Sequence, residues 1–169
     1  MNDVLTRFIA SGTLEPKETM PTVAPSMDIQ IPSSLERLIY DLEGDTSSFY
    51  NQLQSEKVAT LSEDATKKLQ SIFSSKSFDD EMILREIKDF NKNYDWIVDP
   101  HTATAVSEKV TFDSNLPVVG IATASPEKFS NVISSVISSF SVKNSENTED
   151  YIVCRSDSST VENTIKEYF

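Results

Sequence analysis

The sequence is poor in several residue types on which compact functional sites are often built. Its 169 residues include only three glycines, one cysteine and one histidine. The glycines, Gly12, Gly44 and Gly120, lie far apart, which excludes a glycine-rich phosphate-binding loop within these residues. One cysteine and one histidine do not supply the ligands of a structural zinc site, so we predict no metal site.

Other absences bear on compartment and partners. Cys154 has no second cysteine for an internal disulfide, which favours a reducing, cytoplasmic environment. No apolar run approaches the roughly 18 residues of a membrane span, and the first residues, MNDVLTRFIASG, do not resemble a secretory signal. The formal net charge of −12 would repel nucleic acids and anionic membranes, so we expect neither as a partner.

Amphipathic helices are predicted in the first part of the chain. Apolar residues recur at helical spacing over residues 2–10, and Gly12 follows as a stop signal. A second helix is predicted from Leu35 to a stop at Gly44. The proline-rich segment between them is predicted to be extended or turning.

Residues 46–93 contain neither glycine nor proline and are predicted to form a helical insert with solvated charged faces. Ser62 is a candidate cap for one helix of the insert, and Asp79 or Asp80 for another. Apolar residues are predicted to face inward (Phe49, Leu53, Leu69, Ile72, Phe73, Met82, Ile83, Ile87 and Phe90).

The pattern changes over residues 95–169, which resemble three strand-helix units in succession. A short apolar strand is predicted at residues 96–98, a second within PVVGIAT at residues 117–123, and a third within YIVC at residues 151–154. Each is followed by turn residues and a helical pattern. The predicted fold class is therefore α/β, with a partial, mostly parallel sheet flanked by helices.

Ligands of such sheets bind beyond the carboxyl ends of the strands. Asp99, His101 and Thr102 follow the first predicted strand, and Thr123 and Ser125 follow the second, so these residues are candidates for one crevice. His101 near Asp99 resembles an oriented base, but no nucleophile motif accompanies it. A histidine in such a place more often caps a helix or hydrogen-bonds to the backbone.

Four segments, in order, resemble threonine synthase, a pyridoxal-phosphate enzyme. They are NDVLTRFIASGTLEP, APSMDIQIPSSLERLIYDL, WIVDPHTATAV and IATASPEKF. Each is similar to a motif of that family, and together they extend across nearly the whole chain. The resemblance implies the type II pyridoxal-phosphate fold, of which residues 1–169 would be a single partial domain from the C-terminal portion.

The resemblance also implies a chemistry. Threonine synthase is a carbon-oxygen lyase of threonine biosynthesis that converts O-phospho-L-homoserine and water to L-threonine and phosphate. The family's Schiff-base lysine and phosphate-binding loop belong to motifs that these 169 residues do not contain. We therefore expect no catalytic residue in this chain, no stable cofactor binding by it alone and no turnover in isolation.

By the same resemblance, Thr123 matches the family threonine whose hydroxyl meets the pyridine nitrogen of the cofactor, and it is the predicted cofactor-binding residue. Asp99, His101 and Thr102 match a motif near the same crevice. Ser125 stands where the family has histidine.

Three interpretations are compatible with these motifs. The first is a threonine synthase fragment whose reaction belongs to the complete enzyme. The second is a degenerate, non-enzymatic interaction module, which the altered motifs favour over a working half-enzyme. The third is one half of a split enzyme, completed by an N-terminal partner chain that carries the cofactor lysine.

Overall fold

The computed structural model describes residues 2–107, 117–142, 155 and 157–168. Helices predominate in these ranges. The helices are α1 (Val4–Ser11), α2 (Leu35–Glu43), α3 (Ser47–Glu56), α4 (Glu63–Ile72), α5 (Asp80–Tyr94), α6 (Pro100–Val106), α7 (Ser130–Val136) and α8 (Ser158–Tyr168). Two short strands, β1 (Thr13–Leu14) and β2 (Ala59–Thr60), and two 3-10 helices, Pro25–Asp28 and Pro126–Phe129, complete the described elements.

The first hydrophobic core joins α1 to α4 with the two strands. Phe8 of α1 and Leu69 of α4 are buried in it, and the Phe8 ring meets Phe49 of α3 edge to face with centroids 6.2 Å apart. The strands pair antiparallel, with Thr13 opposite Thr60. The first core is therefore formed by four helices and a two-stranded antiparallel ribbon.

Gly12 ends α1 where the prediction placed the stop. Its φ of +73° is a left-handed conformation that favours glycine, and its N–H donates to the Phe8 carbonyl at 2.7 Å. A Cβ at this position would collide with the Thr66 side chain of α4. The close approach of α1 and α4 thus requires glycine here.

The second core joins α5, α6 and α7. Ile83 and Ile87 of α5 pack in one cluster with Ala103 of α6 and with Ile133 and Ile137 at α7. The spacing of four residues places Ile83 and Ile87 on one face of α5. Asp79, one of the two predicted candidates, caps α5, because its carboxylate accepts from Met82 N at 2.8 Å.

Residues 16–32, here called the proline segment, run between the two cores. Val23 N donates to Asp80 of α5 at 3.2 Å, and Ala24 is buried in the second core. The Asn2 side chain, just before α1, donates to Met20 O at 2.6 Å and to Asp28 Oδ1 at 2.7 Å. The proline segment therefore has hydrogen-bond partners next to both cores.

The predicted parallel sheet is not found among the described residues, whose only sheet is the two-stranded antiparallel pair. Residues 96–99 and 117–123 form no hydrogen-bonded strand. A strand needs a neighbour for its backbone N–H and C=O groups, and Val119 and Ile121 are instead 76% and 66% exposed. The third predicted strand, at residues 151–154, lies outside the described residues.

Two further details differ from the predicted pattern. Ile72 and Phe73 were predicted to face inward, but they are 60% and 41% exposed because α4 ends at Ile72. The helix after Ser125 begins as the 3-10 helix Pro126–Phe129 before α7. In the parts of the chain that the structure describes, no helix has both the length and the apolar character needed to cross a bilayer.

Candidate functional site

Asp99 organises the N-terminus of α6. Its Oδ1 accepts from the backbone N of His101 at 2.9 Å, which makes it the helix cap, and Pro100 occupies the first helical position. Its Oδ2 accepts from the Thr102 hydroxyl. Asp99 is only 1% exposed, so a carboxylate is held in the interior by three donors of its own helix turn.

The pKa of Asp99 reflects two opposing effects. Burial raises the pKa, because it disfavours the charged carboxylate. Hydrogen bonds from the Thr102 hydroxyl and from the ring and backbone of His101 outweigh burial, so the pKa lies below its ordinary value. Asp99 is therefore a carboxylate at neutral pH and serves as an acceptor.

His101 connects α6 to the proline segment. Its Nδ1 lies 2.9 Å from Asp99 Oδ1, and its Nε2 accepts a hydrogen bond from Ser26 N at 3.1 Å. Phe129 covers the ring, with centroids 5.0 Å apart. The imidazole thus bonds to backbone, the commoner role for such a histidine, rather than pointing a free nitrogen at a crevice.

Thr123 and Ser125 lie on the extended segment that precedes α7. Thr123 is exposed, and among the described residues its hydroxyl has no hydrogen-bond partner. Ser125 caps the following 3-10 helix by accepting from Glu127 N at 3.3 Å. The exposed Thr123 hydroxyl can donate or accept a hydrogen bond, whereas Ser125 has a local structural role.

The segment that carries Thr123 runs beside α6. A Cβ at Gly120 would lie 3.2 Å from the Val106 side chain at the end of α6, and Phe129 lies beside His101 near its start. The structure therefore brings the two groups of predicted crevice residues to neighbouring elements. No hydrogen bond joins Thr123 to Asp99, His101 or Thr102 in the described ranges.

Sequence reasoning missed the contribution of the proline segment to this region. A cavity of about 120 Å³ lies between the start of α1, the 3-10 helix Pro25–Asp28 and α6. Ser26, Asp28 and Thr104 line it. The signal in the sequence is the segment APSMDIQ, which resembles a threonine synthase motif.

Within the described residues no cluster of three or more histidine, cysteine or acidic side chains could hold a metal ion.

Comparison with known proteins shows what this chain is similar to. No protein-family model matches the chain. Threonine synthase of Pseudomonas aeruginosa is 30% identical to it over 139 residues, which are 78% of this chain and 29% of that enzyme. The described architecture also superposes on the PLP-bound threonine synthase of Brucella melitensis with a TM-score of 0.75 and 30% identity, over 80% of this chain and 30% of that one.

The chain is a homologue of part of threonine synthase. The yeast enzyme supports the same assignment, with a TM-score of 0.72 and 25% identity over 85% of this chain and 33% of the yeast one. The chain thus spans about three tenths of the length of the relatives that it matches. This coverage fits the predicted match to the C-terminal portion of the enzyme.

Proposed function

We propose that this threonine synthase homologue forms one wall of a pyridoxal-phosphate site and has no turnover by itself. The observation that carries the proposal is the superposition on a PLP-bound threonine synthase, with a TM-score of 0.75 over 80% of the chain. The exposed hydroxyl of Thr123 adds a group suited to the cofactor. In the complete enzyme, the reaction would be conversion of O-phospho-L-homoserine and water to L-threonine and phosphate.

Thr123 is the residue of this chain that would hold the cofactor ring. A threonine hydroxyl donates to a pyridine nitrogen without transferring a full proton, whereas a carboxylate would favour a protonated ring. When bound, the cofactor supplies the electron-withdrawing ring on which the chemistry depends. This chain would orient that ring, and the covalent attachment would come from a lysine in a motif outside these 169 residues.

The exposed apolar residues near Thr123 support the proposal that another polypeptide covers this surface. Val118, Val119 and Ile121 are 58%, 76% and 66% exposed, and the backbone beside them has no strand partner among the described residues. An extended segment of this kind pairs readily with a sheet edge. The proposed partner is a polypeptide with the remainder of the threonine synthase fold, including the cofactor lysine.

Purified chain should release no phosphate from O-phospho-L-homoserine in the presence of pyridoxal phosphate. Co-expression with the complementary N-terminal portion of a threonine synthase should yield a complex that binds the cofactor. Turnover by the isolated chain would overturn the proposal of a partial site.

The role of Thr123 is tested in that complex. Thr123→Val keeps the shape of the side chain and removes the hydroxyl, so cofactor affinity should fall about 2- to 10-fold, as expected for one neutral hydrogen bond. Thr123→Ser keeps a hydroxyl and should retain most of the affinity. Equal affinity of the Val and Ser variants, measured by fluorescence titration of the cofactor, would contradict the ring contact.

A second candidate function is a non-enzymatic interaction module. The observation in its favour is Ser125, which stands where the family has histidine and is engaged as a helix cap. If this is the function, the affinity for a partner bound through residues 117–121 should change neither with Thr123→Val nor with added cofactor. Cofactor-dependent association with the complementary portion would exclude it.

A further inference from the structure

His101 has both ring nitrogens engaged with different parts of the molecule. Nε2 faces the backbone N–H of Ser26, which can only donate, so Nε2 must be the unprotonated acceptor. Nδ1 must then carry the proton and donate to Asp99 Oδ1. The His101 side chain is 8% exposed and the Asp99 side chain is fully buried, whereas Ser26 lies at the surface.

We propose that neutral His101 is a positioning residue that holds the 3-10 helix Pro25–Asp28 against α6, and that protonation of its ring releases this contact. On protonation, Nε2–H would face Ser26 N–H, donor against donor, and the hydrogen bond would be lost. The bond to Asp99 would remain, because the carboxylate accepts equally well from imidazolium. The change is therefore confined to the proline-segment side of the ring.

The contact matters because it sets one wall of the 120 Å³ cavity. Ser26 and Asp28 line the cavity from the 3-10 helix, and Thr104 lines it from α6. The Thr104 hydroxyl donates to the backbone carbonyl of His101 at 2.8 Å, a bond that the charge of the ring does not change. The charge of the imidazole therefore acts on the 3-10 helix side of the cavity, while the Val23–Asp80 and Asn2–Met20 hydrogen bonds hold the rest of the proline segment in both charge states.

Within the described residues, the charged group in direct contact with His101 is the carboxylate of Asp99, the cap of α6. On the 3-10 helix Pro25–Asp28, the Asp28 carboxylate is occupied by Asn2 and Thr22. The 3-10 helix Pro126–Phe129 offers the Phe129 ring to His101 and carries Glu127 and Lys128 on its exposed side. Asp99 keeps the ring in place in both charge states.

The test uses the unmodified chain first. His101 is the only histidine, so its ring nitrogen signals in an NMR spectrum need no assignment. When the ring is neutral, we expect the Nδ1–H tautomer and a protected Ser26 amide. Protonation of the ring should lower the Ser26 protection factor about 2- to 10-fold, the loss of one neutral hydrogen bond, while the Ala103 amide, bonded to Asp99 O, stays unchanged.

A matched pair of variants distinguishes the roles of the two ring nitrogens of His101. The Gln side chain of His101→Gln places its carbonyl near the position of Nε2, so Ser26 should stay protected at all pH values. The shorter Asn of His101→Asn reaches Asp99 but not Ser26, so Ser26 should be unprotected at all pH values. Two results in the parent chain would overturn the proposal, whether or not the variants fold. One is an Nε2–H tautomer, and the other is a Ser26 protection factor that does not change when the ring is protonated.

Discussion

The two cores differ in how far the described elements cover them. The first core is formed by four helices and a two-stranded ribbon, and these helices follow one another along the chain with short connections, apart from the proline segment. The second core rests on three helices and the proline segment, and it is followed by apolar residues at 118–121 that remain exposed. The first core is therefore packed among its own helices and strands, whereas the second is the part of the chain that presents the candidate site and an exposed apolar surface.

The largest expected effect comes from opening a cavity in the first core. Leu69 is fully buried, so Leu69→Ala should lower the free energy of unfolding by about 2–5 kcal/mol. Ile72→Ala, on the same helix but at a position that is 60% exposed, should change it by less than about 0.5 kcal/mol. Urea titration measures both, and similar losses would contradict the idea that α4 faces the core through Leu69 and not through Ile72.

A smaller effect is expected at the start of α6. Asp99→Asn removes the charge from the hydrogen bonds with His101 and Thr102 and should destabilise the chain by about 1.5–3 kcal/mol at pH 7. Because the folded-state pKa is lowered, this stabilisation is present above the ordinary aspartate value of about 3.9 and is lost as pH falls through the lower folded-state pKa.

The measurement is the free energy of unfolding of parent and variant between pH 7 and pH 2, and the two curves should converge at the acid end. Asp45→Asn is the matched control. Hydrogen bonds from the backbone of Ser47 and then Ser48 lower the pKa of Asp45, but this carboxylate, two residues before α3, is exposed. A pH dependence at Asp45 as steep as that at Asp99 would show that burial does not distinguish the two carboxylates.

The smallest effect on stability is expected on the uncovered surface. Val119 is 76% exposed, so Val119→Asp should change the free energy of unfolding by less than about 0.5 kcal/mol. It should nevertheless weaken association with the complementary portion of the enzyme. Ile137→Asp, at a buried position of the second core, should unfold the chain instead, and a stability loss at Val119 of the same size would mean that residues 117–121 are already packed.

Much of the first core could be predicted because helix boundaries are local features. Gly12, Gly44 and Ser62 mark helix ends within four residues of the hydrogen bonds that they make. The inward apolar faces follow from the same short-range periodicity. Two features of this core differ from the prediction. The pattern does not reveal that α4 leaves the core at its end, and it does not reveal the strand β2 within the range predicted to be helical, because a strand depends on its pairing with distant β1.

The second core was harder to predict because its organisation is non-local. A strand is defined by its neighbour, and apolar runs such as residues 118–121 carry no information on whether that neighbour is present. The Ser26–His101 hydrogen bond joins residues 75 positions apart. The sequence therefore indicated the candidate residues Asp99, His101 and Thr102 but not the contact that gives His101 its role.

The proline segment has a consequence for the entropy of folding. Proline restricts φ before folding as well as after it, so the unfolded chain loses fewer backbone conformations when this segment becomes ordered. A stretch with only one turn of 3-10 helix can then be held by a few side-chain hydrogen bonds to Asn2, Asp80 and His101. Because its prolines lower the entropy cost of ordering, this segment can link the two cores without a strand or a long helix between them.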